Sequence, residues 1–415
     1  MTGDSWLVTR KAKSKFFVPS HWPQVTSHDP YMKITIAKKV EQLAPSGIRA
    51  FFDLVLGMKE VISLGVGEPD FITPWHIREK AIYSLEKGYT SYTSNKGMIE
   101  LRREVVRFLK HRHGIEYDPE EEVLITVGVS EGLDLVMRAI LNPGDKVLVP
   151  DPSYVSYGPV VELAGGQPIY LKTDISNGFK LTPKQIAEGA KKGAKALMIN
   201  YPCNPTGASY TKKELQEIAK IVKKYNLIVV SDEIYDELTY DFEHTAFPGL
   251  KGMKEHTVYF NGFSKTYAMT GFRIGYACGP RDVIAAMTKI HQYTMLCAPI
   301  TAQIAAMEAL KHGMKDLQMM KREYMRRRRF IVDGLNELGL TCHQPEGAFY
   351  VFPSIKKTGE KSLDFAKNLL KEKKVALVPG VAFGKSFDAN VRISYASSYE
   401  NLKEALARIK SYLGK

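Results

Sequence analysis

Lys265 follows the apolar run Thr257–Asn261, inside Asn261-Gly262-Phe263-Ser264-Lys265-Thr266-Tyr267. A lysine at a strand end, backed by small and aromatic residues, is placed to lose water, and a desolvated amine is a nucleophile and a proton carrier. Taken singly, such a lysine is most often a surface charge. Asp232-Glu233 closes a second apolar run. Adjacent strand residues point to opposite faces, so these two carboxylates do not share one ligand sphere and no metal site is expected. Gly128-Val129-Ser130-Glu131-Gly132 matches G-x-S-x-G, the setting in which a hydrolase would use Ser130 as nucleophile. No HGGG-type segment and no late histidine in a triad context accompany it. The same glycine turn, opening a helix, presents N–H groups and a hydroxyl to a phosphate. Gly65-Val66-Gly67-Glu68-Pro69 lacks the third glycine of a dinucleotide fingerprint, and Pro69 would interrupt the required helix. Arg392 lies in the apolar run Val391–Ser394, where a buried guanidinium needs an anionic partner.

These residues need a scaffold, and the chain supplies one. From Val123 onward, short apolar runs alternate with stretches of helical length. The strand candidates are Val123–Val127, Lys146–Pro150, Ile169–Leu171, Ala196–Asn200, Leu227–Ser231, Thr257–Asn261 and Arg273–Ala277. Helix candidates include Ser130–Leu141, Tyr154–Ala164, Pro183–Lys191 and Thr211–Tyr225. Near-continuous apolar strands separated by helices predict an α/β fold with a mostly parallel sheet covered on both faces. Ligands of such sheets sit beyond the carboxyl ends of the strands, where the polar residues above fall. After about residue 300 the pattern changes to long helices, the segment Gly347–Phe352, and the runs Val375–Val378 and Val391–Ser394. The expected division is an N-terminal extension at 1–32, a large domain at 61–300, and a smaller α+β domain from 33–60 and 301–415.

The order and spacing of these motifs resemble the class I/II aminotransferases of the fold-type-I pyridoxal-phosphate (PLP) enzymes, closest to the prokaryotic aspartate and aromatic branch. The resemblance runs from roughly Ile34 to the C-terminus. It implies a large domain with a seven-stranded sheet and a smaller domain. It implies that Lys265 holds PLP as a Schiff base and that Arg273, in Gly271-Phe272-Arg273, grips the phosphate. Asn204, in Asn204-Pro205-Thr206-Gly207, and Tyr235, in Asp232-Glu233-Ile234-Tyr235, would bond the ring oxygen, and Asp232 the ring nitrogen. Tyr154 would stack on the ring, and Gly128, Val129 and Ser130 would cradle the phosphate. Tyr92, in Tyr89-Thr90-Ser91-Tyr92, would reach the cofactor of a neighbouring subunit, implying a homodimer with shared sites. Lys265, Asp232 and Tyr235 then form the catalytic set, and Gly67, Tyr154, Asn204 and Arg392 the substrate contacts. Two positions depart from common relatives: Gly262 replaces a phosphate-binding serine, and Glu131 stands near the cradle where some relatives carry lysine.

The expected activity is ping-pong transfer of an amino group from an L-amino acid (aspartate, glutamate or aromatic) to a 2-oxo acid such as 2-oxoglutarate. A PLP β-lyase on the same fold, a serine hydrolase using Ser130, and a PLP-binding DNA regulator are the rival readings. Composition bounds these. The 415 residues are 44% hydrophobic and 25% charged, the balance of a globular protein of two domains. The net charge of +13 is scattered, apart from the N-terminus and Arg326–Arg329, which reads as a solvated helix face rather than a nucleic-acid surface. Four cysteines lie far apart, consistent with reduced thiols in the cytoplasm. No run of ~18 apolar residues is present to span a membrane.

Overall fold

The computed structural model describes residues 35–43 and 58–414. The expected extension at 1–32 lies outside the described residues, as does part of the segment 33–60. Regular structure begins with the short helix Lys38–Glu41 and the strand β1 (Ile62–Ser63). A seven-stranded sheet follows: β2 (Val123–Thr126), β3 (Lys146–Asp151), β4 (Gln167–Lys172), β5 (Ala194–Asn200), β6 (Ile228–Asp232), β7 (Thr257–Gly262) and β8 (Gly275–Cys278). Its spatial order is β2-β8-β7-β6-β5-β3-β4. Every adjacent pairing is parallel except the two made by β8, which runs antiparallel to β2 and β7.

Side-chain alternation assigns each face of the sheet. Val147, Val149, Met198 and Val230 point to one face and pack with the helices Gly128–Ile140 and Arg281–Thr294. Leu148, Leu197, Ile199 and Val229 point to the other and pack with Pro183–Lys191 and Lys212–Tyr225. A strand buried on both faces must be apolar at every position, which is why these runs read continuously. The last two helices start where local chemistry dictates. Thr182 with Gln185, and Thr211 with Glu214, close reciprocal caps that satisfy otherwise orphaned N–H groups.

A second layer holds the antiparallel sheet β9 (Tyr350–Val351), β11 (Val378–Pro379) and β12 (Val391–Ser394), in the order β11-β12-β9. The strand β10 (Val375–Ala376) pairs in parallel with β1. The helix Ile300–His312, expected to belong to this smaller domain, packs instead against Trp75–Glu86 and Ile99–His113. Its buried Ala302, Ala305, Ala306 and Ala309 form a flat face that lets neighbouring helices approach closely.

Two local expectations are corrected. The helix after β3 begins at Tyr157 rather than Tyr154, leaving Tyr154–Ser156 in a turn. The arginine run is no uniform solvated face, because Arg327 and Arg328 are buried. Arg327 Nη1 donates to both oxygens of Asp70 at 2.8 Å, and Arg328 forks onto Asp241 at 2.6 and 2.7 Å, pairs that stand in for the lost water.

Candidate active site

The carboxyl ends of β5, β6 and β7, the turn after β2, and Arg392 on β12 surround one cavity of about 840 Å³. That is room for a ligand of cofactor size. Its lining includes Gly67, Val129, Ser130, Tyr154, Asn204, Asp232, Tyr235, Lys265, Arg273 and Arg392. Gly128 lies directly behind that wall, against Arg273. Tyr92 is not among the lining residues; it stands on the surface, 82% exposed.

Each side chain is held by an identifiable neighbour. Lys265 Nζ donates to the Gly67 carbonyl at 2.6 Å. Burial of that amine, reinforced by Arg392 and Arg273 and opposed by Glu68, lowers its pKa from 10.5 to about 8. At about pH 7.5 this leaves roughly a quarter of the amines neutral, against roughly one in a thousand without the shift. Asp232 ends β6 at 4% exposure and faces the cavity, whereas Glu233 turns away to His244, Tyr201 and Ser231. Burial pushes the Asp232 carboxyl up from 3.8 to about 6, despite hydrogen bonds from Tyr157 Oη at 2.8 Å and the Ile234 N–H at 3.2 Å. Tyr235 shares a hydrogen bond of 2.8 Å with the hydroxyl of Tyr350. Asn204 accepts from Arg392 Nη1 at 3.0 Å.

Arg392 is fully buried. It donates to Asn204 and the Gly65 carbonyl, and its guanidinium lies against the rings of Tyr350 and Phe383. Its Nε has no partner among the described residues, and none of its neighbours is an anion within ion-pair distance. A buried, always-charged group in that state is suited to a carboxylate ligand. On the opposite wall, Gly128 has φ +77°. A Cβ there would stand 2.7 Å from Arg273 Nη2. Arg273 itself adopts φ +51° just before β8, rather than opening the strand as expected, and this turn brings its guanidinium against the glycine. Backbone amides at a helix start beside an exposed guanidinium fit a phosphate. The amine, the buried carboxylate and the arginine that meets no anion among the described residues fit the aldehyde, ring and substrate carboxylate of a PLP enzyme.

Other chemistries find less support. No hydrogen bond joins Ser130 to a histidine among the described residues; the nearby His291 bonds Glu131 instead. The oxygen and nitrogen atoms of His113, Asp236 and Glu237 lie within 4.8 Å of one another, but Glu237 already forks onto Arg112 and Asp236 accepts from Asn261. Sequence reasoning passed over Tyr157, Tyr350 and Glu68. Tyr157, three residues beyond Tyr154 at the same strand end, was the one with a signal to follow.

The model of the family described as aminotransferase class I and II matches residues 59–409. The chain is 53% identical to the Bacillus subtilis protein YugH, over 91% of this chain and 97% of that one. It is 44% identical to an aspartate aminotransferase of Pyrococcus abyssi, over 92% of this chain and 98% of the relative. The crystal structure of an aromatic aminotransferase from Pyrococcus horikoshii superposes with a TM-score of 0.84 at 44% identity, covering 88% of this chain and 98% of the other. The chain therefore belongs to the class I and II aminotransferases and is a PLP-dependent enzyme of fold type I.

Proposed function

We propose that the protein transfers the amino group of an L-amino acid to a 2-oxo acid in two half-reactions, with Lys265 holding the cofactor and moving the proton. The observation that carries this reading is the meeting of a depressed amine, Lys265, a buried carboxylate, Asp232, and a buried arginine, Arg392, that has no anion beside it among the described residues, in one cavity. When bound, PLP supplies an aldehyde that takes up the amino group and a ring that accepts charge from Cα. Arg273, Gly128, Val129 and Ser130 hold its phosphate, Asn204 and Tyr235 its ring oxygen, and Tyr154 its face. Asp232 keeps a proton on the ring nitrogen, which makes the ring a better acceptor. Arg392 fixes the substrate α-carboxylate beside Gly67, where a side chain would collide with Tyr350 Oη. Lys265 Nζ would take the proton from Cα and return it to the cofactor's aldehyde carbon, on the other side of the amino nitrogen.

Aspartate and aromatic amino acids are the proposed donors, supported by the names of the relatives; glutamate is a further proposed donor and 2-oxoglutarate the proposed acceptor. A homodimer is supported by the exposed apolar Ile72, Trp75, Tyr92, Tyr293 and Met295. We place it in the cytoplasm, in amino-acid biosynthesis, a location consistent with four free cysteines. No helix among the described residues is long and apolar enough to cross a membrane. The smaller domain is proposed to begin within the long helix Met314–Glu337, since Ile300–His312 packs with the large one. Replacing Lys265 tests the reading. Lys265→Ala should lose the visible absorbance of bound PLP and at least ~10³-fold in turnover. Transamination near the native rate would remove Lys265 from its role.

A further inference from the structure

The turn Val127–Ser130 can bind an anion tightly only if its N–H groups are held in place before the anion arrives. In front, Arg273 lies against Gly128. Beneath, Gly275 passes so close that a Cβ there would stand 2.9 Å from the Val129 nitrogen. Behind the turn stands a pair of side chains with no part in the chemistry so far. Glu131 Oε2 accepts from the Val127 N–H at 2.5 Å, and its Oε1 accepts from His291 Nδ1 at 2.6 Å. His291 comes from the helix Arg281–Thr294, 160 residues away, and its side chain is 0% exposed against 9% for Glu131.

An ionised carboxylate only accepts, so the proton of this bond sits on Nδ1. Nε2 is buried without a partner among the described residues. Burying an imidazole with one nitrogen unpaired is costlier than burying a leucine. What the histidine adds over an apolar residue is the bond to Glu131. Gly262 increases the demand on the turn. It offers the phosphate no hydroxyl, and a Cβ there would come within 3.0 Å of Gly275 Cα.

We propose that Glu131 and His291 are positioning residues that brace the turn and so set the protein's affinity for the phosphate of its cofactor. The inference rests on the proposed role of that turn. Its test compares PLP with pyridoxal, which lacks the phosphate, binding to the apoprotein by absorbance and fluorescence titration. His291→Leu should weaken PLP on the order of tenfold, the effect of one lost charge-assisted hydrogen bond, and move pyridoxal less than about twofold. His291→Asn, whose amide nitrogen can donate from the same place, should keep native PLP affinity. Glu131→Ala should reproduce the selective loss from the other side of the pair, which keeps the test available if the leucine variant folds poorly. Equal weakening of PLP and pyridoxal, or native PLP affinity in both His291→Leu and Glu131→Ala, would overturn the brace while leaving the cradle intact. A native protein that binds PLP no better than pyridoxal would overturn the cradle as well.

Discussion

Asp232→Asn deletes a buried charge while keeping the side chain's shape. The amide oxygen can still accept from the Ile234 N–H in the place of Oδ1, and the amide nitrogen, in the place of Oδ2, can donate to Tyr157 Oη, a hydroxyl that also accepts. In the native apoprotein, burial raises the carboxyl from 3.8 to about 6. The folded chain therefore binds more protons than the unfolded one between about pH 4 and 6, and stability falls as pH rises through that window. Above it the ionised carboxylate costs about 3 kcal/mol, from a shift of roughly two units at 1.36 kcal/mol each. The asparagine variant carries no such cost. With ~2.1 cal/mol/K of unfolding entropy per residue over 415 residues, its apoprotein should melt roughly 3 °C higher at about pH 7.5. The two proteins should converge as pH falls toward about 4. Calorimetry of both apoproteins across this range is the assay. Turnover with saturating PLP should meanwhile drop at least ~10²-fold, because a neutral amide does not keep the ring nitrogen protonated. Coincident melting at about pH 7.5, or a difference that does not shrink on acidification, would refute the reasoning.

Tyr157→Phe removes the donor that pulls the Asp232 carboxyl down, so the acid limb of kcat/KM should move to higher pH, with kcat/KM lower by roughly tenfold or more. A pH profile superimposable on the native one would contradict the role of Tyr157. Arg392→Lys loses the planar fork and should raise KM for the amino donor by about tenfold or more, read from initial rates; an unchanged KM would place the carboxylate elsewhere. Gly128→Ala forces a side chain onto φ +77° and to within 2.7 Å of Arg273 Nη2, so PLP should dissociate faster from the variant, as followed by gel filtration and absorbance. Retention equal to native would mean that the turn does not face the phosphate.

Much of the large sheet was readable in the chain because its strands are buried on both faces. The run Thr257–Asn261 became Thr257–Gly262, and Lys146–Pro150 became Lys146–Asp151. Lys265, Asp232 and Asn204 were visible because each follows such a run, and strand ends in these folds are where ligands sit. What was hidden depends on partners distant in sequence. Arg327 and Arg328 read as surface charges until Asp70, 257 residues away, and Asp241, 87 away, met them. Tyr157 drew no notice in the sequence, and only the fold brings its hydroxyl to Asp232, 75 residues on. The left-handed backbone at Arg273 is a property of the turn before β8, and an apolar run that begins with arginine gives no sign of it.

The central claim is that Lys265, Asp232 and Arg392 act on one amino acid held with PLP in a single cavity. An absorbance spectrum of the purified holoprotein, before and after adding glutamate and then 2-oxoglutarate, tests it most directly. A visible band that glutamate shifts and 2-oxoglutarate restores is the predicted result, and screening aspartate and aromatic amino acids in the same way ranks the donors. A band that no amino donor moves, or ammonia released without any 2-oxo acid consumed, would contradict it.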